Sequence, residues 1–165
     1  MKKIFIKTIS TVLCLSCLMG LCSCANSSEY KNDLTSDELA SIIENALTEE
    51  GDYMSASADF ADFNMSGISE ICVDFSIKLH SSDKNYTEFG VFKVKTNTRA
   101  KKAEQFCQGY IDTMKKYSRS DYEPKEYEKI QNGKVTVYGN YVVYTMVTPE
   151  DYDAINSAII EAIKK

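Results

Sequence analysis

The chain has 165 residues, of which 19 are basic and 24 acidic, so its formal net charge at neutral pH is −5. An acidic chain without a basic stripe offers little to a phosphate backbone, which argues against a nucleic-acid partner. The length fits a short N-terminal signal followed by one domain, whose core is large enough to fold without a metal or a disulfide. We expect no metal site and no cofactor.

Residues 1–23 have the three parts of a secretory signal. Lysines give it a positive start, residues 9–21 are mainly apolar, and Ser23 is the small residue at the exit. A membrane-spanning helix needs about 20 apolar residues, whereas this apolar stretch is shorter and leads directly into polar residues. We predict a cleaved signal peptide, with an uncleaved membrane anchor as the alternative.

The signal ends in Leu21-Cys22-Ser23-Cys24, which resembles the bacterial lipobox. In that motif the thiol of the last cysteine receives a diacylglyceryl group before a peptidase cuts ahead of it. Cys17 and Cys22 lack the required residues before them, so Cys24 is the predicted lipid attachment site. Because two acyl chains anchor a protein far more firmly than one, we expect the protein on the extracytoplasmic face of the cell membrane.

Removal of the signal changes the charge. Lys2, Lys3 and Lys7 leave and no acid does, so 16 basic residues face 24 acidic ones and the net charge becomes about −8. This charge argues against attraction to anionic lipids, so the acyl chains alone should hold the protein on the membrane. Residues 24–33 are polar and predict a tether to a single domain over residues 34–165.

Cys72 and Cys107 are the cysteines that remain in the predicted domain. Cys72 alternates with the apolar residues of its strand, whereas Cys107 lies on the apolar stripe of its helix. We therefore expect the two to face apart and stay unbridged, although export permits a disulfide. Outside the signal no pair has C-x-x-C spacing, so neither a zinc site nor a redox motif is indicated.

Three helices are predicted. The first begins at a capping box formed by Thr35 and Glu38, the second runs from about residue 98 to Ser118, and the third follows Thr148 and Pro149. Tyr122-Glu123-Pro124 is expected to prevent the second helix from continuing, since the residue before a proline avoids helical geometry. Residues 48–70 break the periodicity and predict a long acidic loop, without the alternating ligands of an EF-hand.

Four strands are predicted. Residues 71–79 alternate between apolar and polar, residues 86–95 form a second apolar run, and residues 134–147 predict a hairpin around Gly139-Asn140. A two-residue turn there places Tyr138 opposite Tyr141, and opposed residues share one face of the sheet.

The order α-β-β-α-β-β-α predicts an α+β fold, with a four-stranded, mainly antiparallel sheet and helices packed on one face. The other face would be open, with Tyr138 and Tyr141 at its centre. Tyrosine is enriched where a surface is wet at some times and buried at others, so these two are the candidate binding residues. Alternatively the pair only stabilises the hairpin, or the tether or the acidic loop covers it.

Three segments behind the lipobox, Glu88–Lys93, Tyr122–Pro124 and Gly139–Val142, resemble an uncharacterised family of lipoproteins common in clostridia and related Gram-positive bacteria. The resemblance spans most of the chain after Cys24. It implies a lipid-anchored location and supports the α+β architecture. The family carries no assigned reaction, ligand or catalytic residue.

Two classes of function remain. One is a non-catalytic lipoprotein that binds a protein, a cell-wall polymer or a small ligand, and the other is an enzyme or an accessory subunit of a surface enzyme. His80, the only histidine, is expected as an exposed residue at a strand end. A Ser-His-Asp arrangement assembled in space stays open, but no nucleophile elbow, zinc-protease motif or phosphate loop occurs. We therefore predict a binding or adaptor module.

Overall fold

The structure, a computed structural model, describes residues 29–118 and 124–165. Its helices are α1 (Ser36–Ala46), α2 (Ala58–Asn64), α3 (Asn97–Tyr117), α4 (Pro124–Gln131) and α5 (Pro149–Ile163). Its strands are β1 (Tyr53–Ser55), β2 (Cys72–His80), β3 (Glu88–Val94), β4 (Lys134–Tyr138) and β5 (Tyr141–Met146), and a 3-10 helix spans Ile68–Ile71.

The strands form one antiparallel sheet in the order β1-β2-β3-β5-β4. The α+β class and the hairpin register, with Tyr138 opposite Tyr141, are confirmed. The predicted number of four strands is wrong, because β1 pairs with the end of β2 and adds a fifth strand at the edge. With three residues, β1 is too short for alternation to reveal it.

The predicted element order is also wrong. Besides β1, the chain inserts α2 and the 3-10 helix before β2, and α4 before β4. Ser57 caps α2 by accepting a hydrogen bond from the backbone N–H of Phe60. Pro124 begins α4, since a proline that cannot continue one helix suits the first turn of the next. Helices of about two turns are too short to show clear periodicity.

The predicted starts of the first and last helices are confirmed. The hydroxyl of Thr35 accepts from the N–H of Glu38, whose carboxylate in turn accepts from the N–H of Thr35 at 2.7 Å. Thr148 caps α5 by accepting from the N–H of Asp151, with Pro149 in the first turn.

Helices cover both faces of the sheet, so the prediction of helices on one face is wrong. On one face α2, α3 and α4 enclose a core that includes Phe92, Ile111 and Tyr144. On the other face α1 and α5 enclose a second core that includes Leu39 and Phe89. The physical reason lies in β3 and β5, which are buried along almost their whole length, as expected of strands covered on both sides.

Cys72 does not face away from the apolar residues of β2. The pairing of β2 with β3 shifts between Cys72 and Asp74, in the manner of a β-bulge. Cys72 therefore packs against the same core that contains Cys107, while Val73 is half exposed. Both cysteines are free thiols. The expected free state agrees with the structure, whereas the facing argument behind it is wrong.

The chain joins the domain beside the end of α5. The N–H of Lys31 donates to the carbonyl of Ile163 at 2.6 Å, and the N–H of Lys165 donates to the carbonyl of Glu29 at 3.1 Å. These contacts place residues 29–31 of the predicted tether against the domain. The predicted signal peptide and Cys24 lie outside the described residues.

Among the described helices, none has both the length and the apolar character needed to cross a membrane.

Candidate functional site

A groove of about 340 Å³ lies between the first turns of α3 and the edge strand β4. Its volume falls in the lower part of the range of small-ligand pockets. The groove is lined by Asn97, Ala100, Lys101, Glu104, Val137 and Gly139. We refer to it as the α3–β4 groove.

Local structure explains why these side chains meet. Thr96 caps α3 by accepting from the N–H of Arg99, which starts the helix directly after β3. Gly139 has a φ of +59°, a backbone conformation that glycine adopts without a steric penalty, and it turns the chain from β4 into β5. The helix then runs across β4 and β5 and leaves its first turns beside the hairpin.

The groove has an apolar floor and a charged rim. Ala100 and Val137 are buried or half-buried, whereas Lys101 and Glu104 are exposed. In the described sheet β4 lies at the edge and pairs with β5 alone. An edge strand presents backbone donors and acceptors to an added strand. The arrangement therefore suits an extended peptide-like ligand better than it suits bond-breaking chemistry.

A second cluster surrounds Glu88, which begins β3 and is only 8% exposed. Its carboxylate accepts hydrogen bonds from the hydroxyl of Tyr144 at 2.5 Å and from that of Tyr110 at 3.2 Å. Gly90, two residues along the same face, makes this possible: a Cβ there would lie 2.3 Å from the ring of Tyr144. Only glycine leaves room for that ring.

Burial raises the pKa of Glu88 to about 7, although the hydrogen bonds from Tyr144 and Tyr110 oppose the rise. Burial also raises the pKa of Tyr144 well above its usual range. A carboxyl that titrates near neutral pH in a cleft is a candidate for acid-base chemistry. Glu88, however, is buried and does not line the α3–β4 groove. We therefore assign it a structural role, as a buried hydrogen-bond acceptor in the core.

A third cluster surrounds the buried ammonium group of Lys129 in α4. Its Nζ lies 2.7 Å from a carboxylate oxygen of Glu49, 2.9 Å from one of Glu126 and 3.1 Å from the side-chain oxygen of Asn85. Burial acts to raise the pKa of Glu49, but hydrogen bonds from Lys129 and Thr87 hold it below its usual range. The contacts of Lys129 connect α4 to the segment that contains Glu49 and to the segment that contains Asn85. The ammonium group and both carboxylates each have a partner of opposite charge within the cluster.

The predicted binding residues do not form an exposed surface. Tyr138 is 4% exposed and Tyr141 is 0% exposed, because α1 and α5 cover them. The hydroxyl of Tyr138 donates to the side-chain oxygen of Asn156 at 2.6 Å, and that of Tyr141 donates to the carbonyl of Leu34 at 2.7 Å. Burial raises the pKa of both tyrosines to about 12. Tyr30 also packs edge-on against Tyr138.

His80 ends β2 and is half-buried, rather than an exposed loop residue. Its Nδ1 accepts a hydrogen bond from the N–H of Ser82 at 3.0 Å, and its ring packs edge-on against Tyr53.

Burial raises the pKa of the Cys72 thiol to about 12, which disfavours the reactive thiolate. Within residues 29–118 and 124–165, no three histidine, cysteine, aspartate or glutamate side chains converge as a metal site.

Sequence reasoning missed the groove, because its lining combines residues from the first turns of α3, both polar and apolar, with residues of a distant hairpin. No local pattern signals that the two lie side by side. Glu88 could have been found, because it has the same strand parity as Phe92 and Val94 and therefore points into the same core. Alternation along a strand predicts which positions face the core, and an acid at such a position indicates a buried carboxyl group.

The sequence profile of a family described as "Domain of unknown function (DUF4358)" matches residues 51–147, which is more than half of the chain. No curated protein and no solved structure matches the chain.

Proposed function

Because the chain belongs to the DUF4358 family, whose function is unknown, we propose its role from its own residues: it is a lipid-anchored lipoprotein of the extracytoplasmic membrane face. Its domain is a non-catalytic binding module, and the α3–β4 groove is the binding site. The observation that carries the binding role is this groove, which combines an apolar floor, a charged rim and an edge strand.

The lipobox at Leu21 to Cys24 supports the lipid anchor. Cys24 precedes the first described residue, Glu29, by five residues, which span at most about 18 Å when fully extended. Glu29 itself lies on the surface beside the end of α5. An acylated Cys24 would therefore hold the folded domain close to the membrane without deforming it.

The anchor is tested by labelling growing cells that express the full chain with a fatty-acid probe. Cys24→Ala should abolish the label and the signal cleavage at that site. Cys22→Ala is the matched control, because it changes a neighbouring cysteine of the same motif and should leave the label unchanged. A Cys24→Ala variant that still carries the probe would refute the assignment.

An extended segment of a protein partner fits the groove best, since backbone pairing with β4 supplies affinity and the rim supplies specificity. The test is a crosslinked pull-down from the native membrane and cell-wall fraction, repeated with charge-reversed variants. Lys101→Glu should weaken capture several-fold. Lys102→Glu should not, because Lys102 is the adjacent exposed residue but does not line the groove. Equal capture of the partner by both variants would rule out the groove as the binding site.

The alternative, an enzyme or an accessory subunit of a surface enzyme, has one observation in its favour, the raised pKa of Glu88. The two roles are separable by Glu88→Gln. A binding module should retain partner capture with this neutral side chain, whereas a site that needs a proton from Glu88 should lose its activity.

A further inference from the structure

Several contacts place the start of the domain, the end of α5 and the β4–β5 turn together at one end of the molecule. Tyr30 forms an antiparallel bridge with Lys164 and lies against Gly139. The N–H of Val94 donates to the carbonyl of Asn140, which brings the end of β3 to the same place. We call this region, residues 29–31, 139–140 and 163–165 with the first turns of α3, the tether end.

The opposite end carries the loop that joins β2 to β3. The N–H of Ser81 donates to the carbonyl of Asp52, and Asn85 donates to Glu49, so the segment after α1 lies there too. We call residues 49–52 and 81–87 the far end. A strand as long as β2, with nine residues, separates the two ends by about 30 Å.

The tether is shorter than this separation. An acyl group on Cys24 keeps Glu29 within about 18 Å of the attachment point, and Glu29 belongs to the tether end. The far end therefore approaches the membrane only if the whole domain lies down or turns over.

Charge opposes that rearrangement. The tether end and the first turns of α3 expose Lys31, Lys101, Lys164 and Lys165 among the acids Glu29 and Glu104. The start of α1 lies at the same end of the molecule and adds the exposed acids Asp33, Asp37 and Glu38. The far end exposes Glu50, Asp52 and Asp83, with Lys84 as its exposed cation. Charges of the two signs nearly balance at the tether end, whereas the far end is acidic. A membrane with anionic lipids therefore repels the far end more strongly than the tether end, within a Debye length of about 8 Å.

We propose that the tether end faces the lipid headgroups of an anionic membrane and that the far end projects away from it. This orientation rests on the proposed acylation of Cys24. It places the α3–β4 groove, with Gly139 and Asn97 at its rim, on the membrane side of the domain, so that a partner docks close to the bilayer.

The chain contains no tryptophan, so a single introduced tryptophan reports its own position without background. Lys101→Trp places the reporter near the tether end, and Lys84→Trp is the matched control at the far end. Both replace an exposed lysine, so the net charge is the same in the two variants. The acylated full chain is reconstituted into vesicles of phosphatidylcholine and phosphatidylglycerol with a trace of dansyl-phosphatidylethanolamine, and energy transfer from tryptophan to dansyl is measured.

We expect transfer from Lys101→Trp to exceed that from Lys84→Trp by at least about twofold, with both variants showing wild-type thermal unfolding. Equal or reversed transfer from proteins that float with the vesicles would overturn the orientation and leave the lipid anchor standing. Absence of acylation and of flotation would instead overturn the proposed anchor and the orientation with it.

Discussion

The hydroxyl of Tyr144 in β5 donates a 2.5 Å hydrogen bond to the buried carboxylate of Glu88 in β3. The ring of Tyr144 fits there because Gly90 has no Cβ. The contact joins the two hairpins at the centre of the sheet. It also keeps a titratable group inside the core, where burial raises its pKa to about 7. The stability of the domain should therefore depend on pH in a defined window.

The sign of that dependence follows from the raised pKa. The unfolded chain releases the Glu88 proton near pH 4.5, whereas the folded chain keeps it until about pH 7. The free energy of unfolding should therefore fall as the pH rises through this window, by on the order of 3 kcal/mol at about 1.4 kcal/mol per pKa unit. Urea unfolding followed by circular dichroism between pH 4.5 and 8 measures the loss.

Glu88→Gln should remove this loss, because the amide is neutral at every pH in the range and nearly the same shape. Glu104→Gln is the control, since Glu104 is exposed and its change should leave the wild-type slope intact. Parallel profiles for the wild type and Glu88→Gln would show that Glu88 does not control the pH dependence. The lowered pKa of Glu49 acts in a different window, below pH 4.5.

Lys129→Met should destabilise the domain by about 2–4 kcal/mol. The substitution leaves the carboxylates of Glu49 and Glu126 without the buried cation that both contact. Lys125→Met on the exposed side of α4 is the control and should change stability by less than about 0.5 kcal/mol. The free energy of unfolding of both variants is measured by urea unfolding at pH 7. Similar decreases in the two variants would show that the ion pairs of Lys129 do not stabilise the domain.

Two glycine-to-alanine substitutions should change stability in opposite directions. Gly139→Ala should cost about 1–2 kcal/mol, because an alanine at a φ of +59° is strained. Gly109→Ala should gain about 0.5–1 kcal/mol, because the position is inside α3 and an added Cβ meets nothing within 4 Å. Thermal unfolding of the two variants beside the wild type checks both signs, and a stabilised Gly139→Ala would contradict the assigned turn geometry.

Local features of the fold could be predicted from the amino-acid sequence. Capping at Thr35 and Thr148 predicts where two helices begin, and Gly139-Asn140 predicts the hairpin and its register. These signals work because they depend on hydrogen bonds and side-chain spacing within a few residues of the chain. The lipobox is equally local, and the lipid on Cys24 stays a prediction.

Long-range packing, in contrast, selects the elements that cover each face of the sheet and the residues that line the groove. Tyr141 and Leu34 are 107 positions apart, yet their hydrogen bond closes the face that alternation in the hairpin had suggested was open. The shift at Cys72 likewise depends on how β2 pairs with β3. A strand pattern records that a side chain will be buried, but the element that buries it comes from a distant part of the chain and is selected by packing.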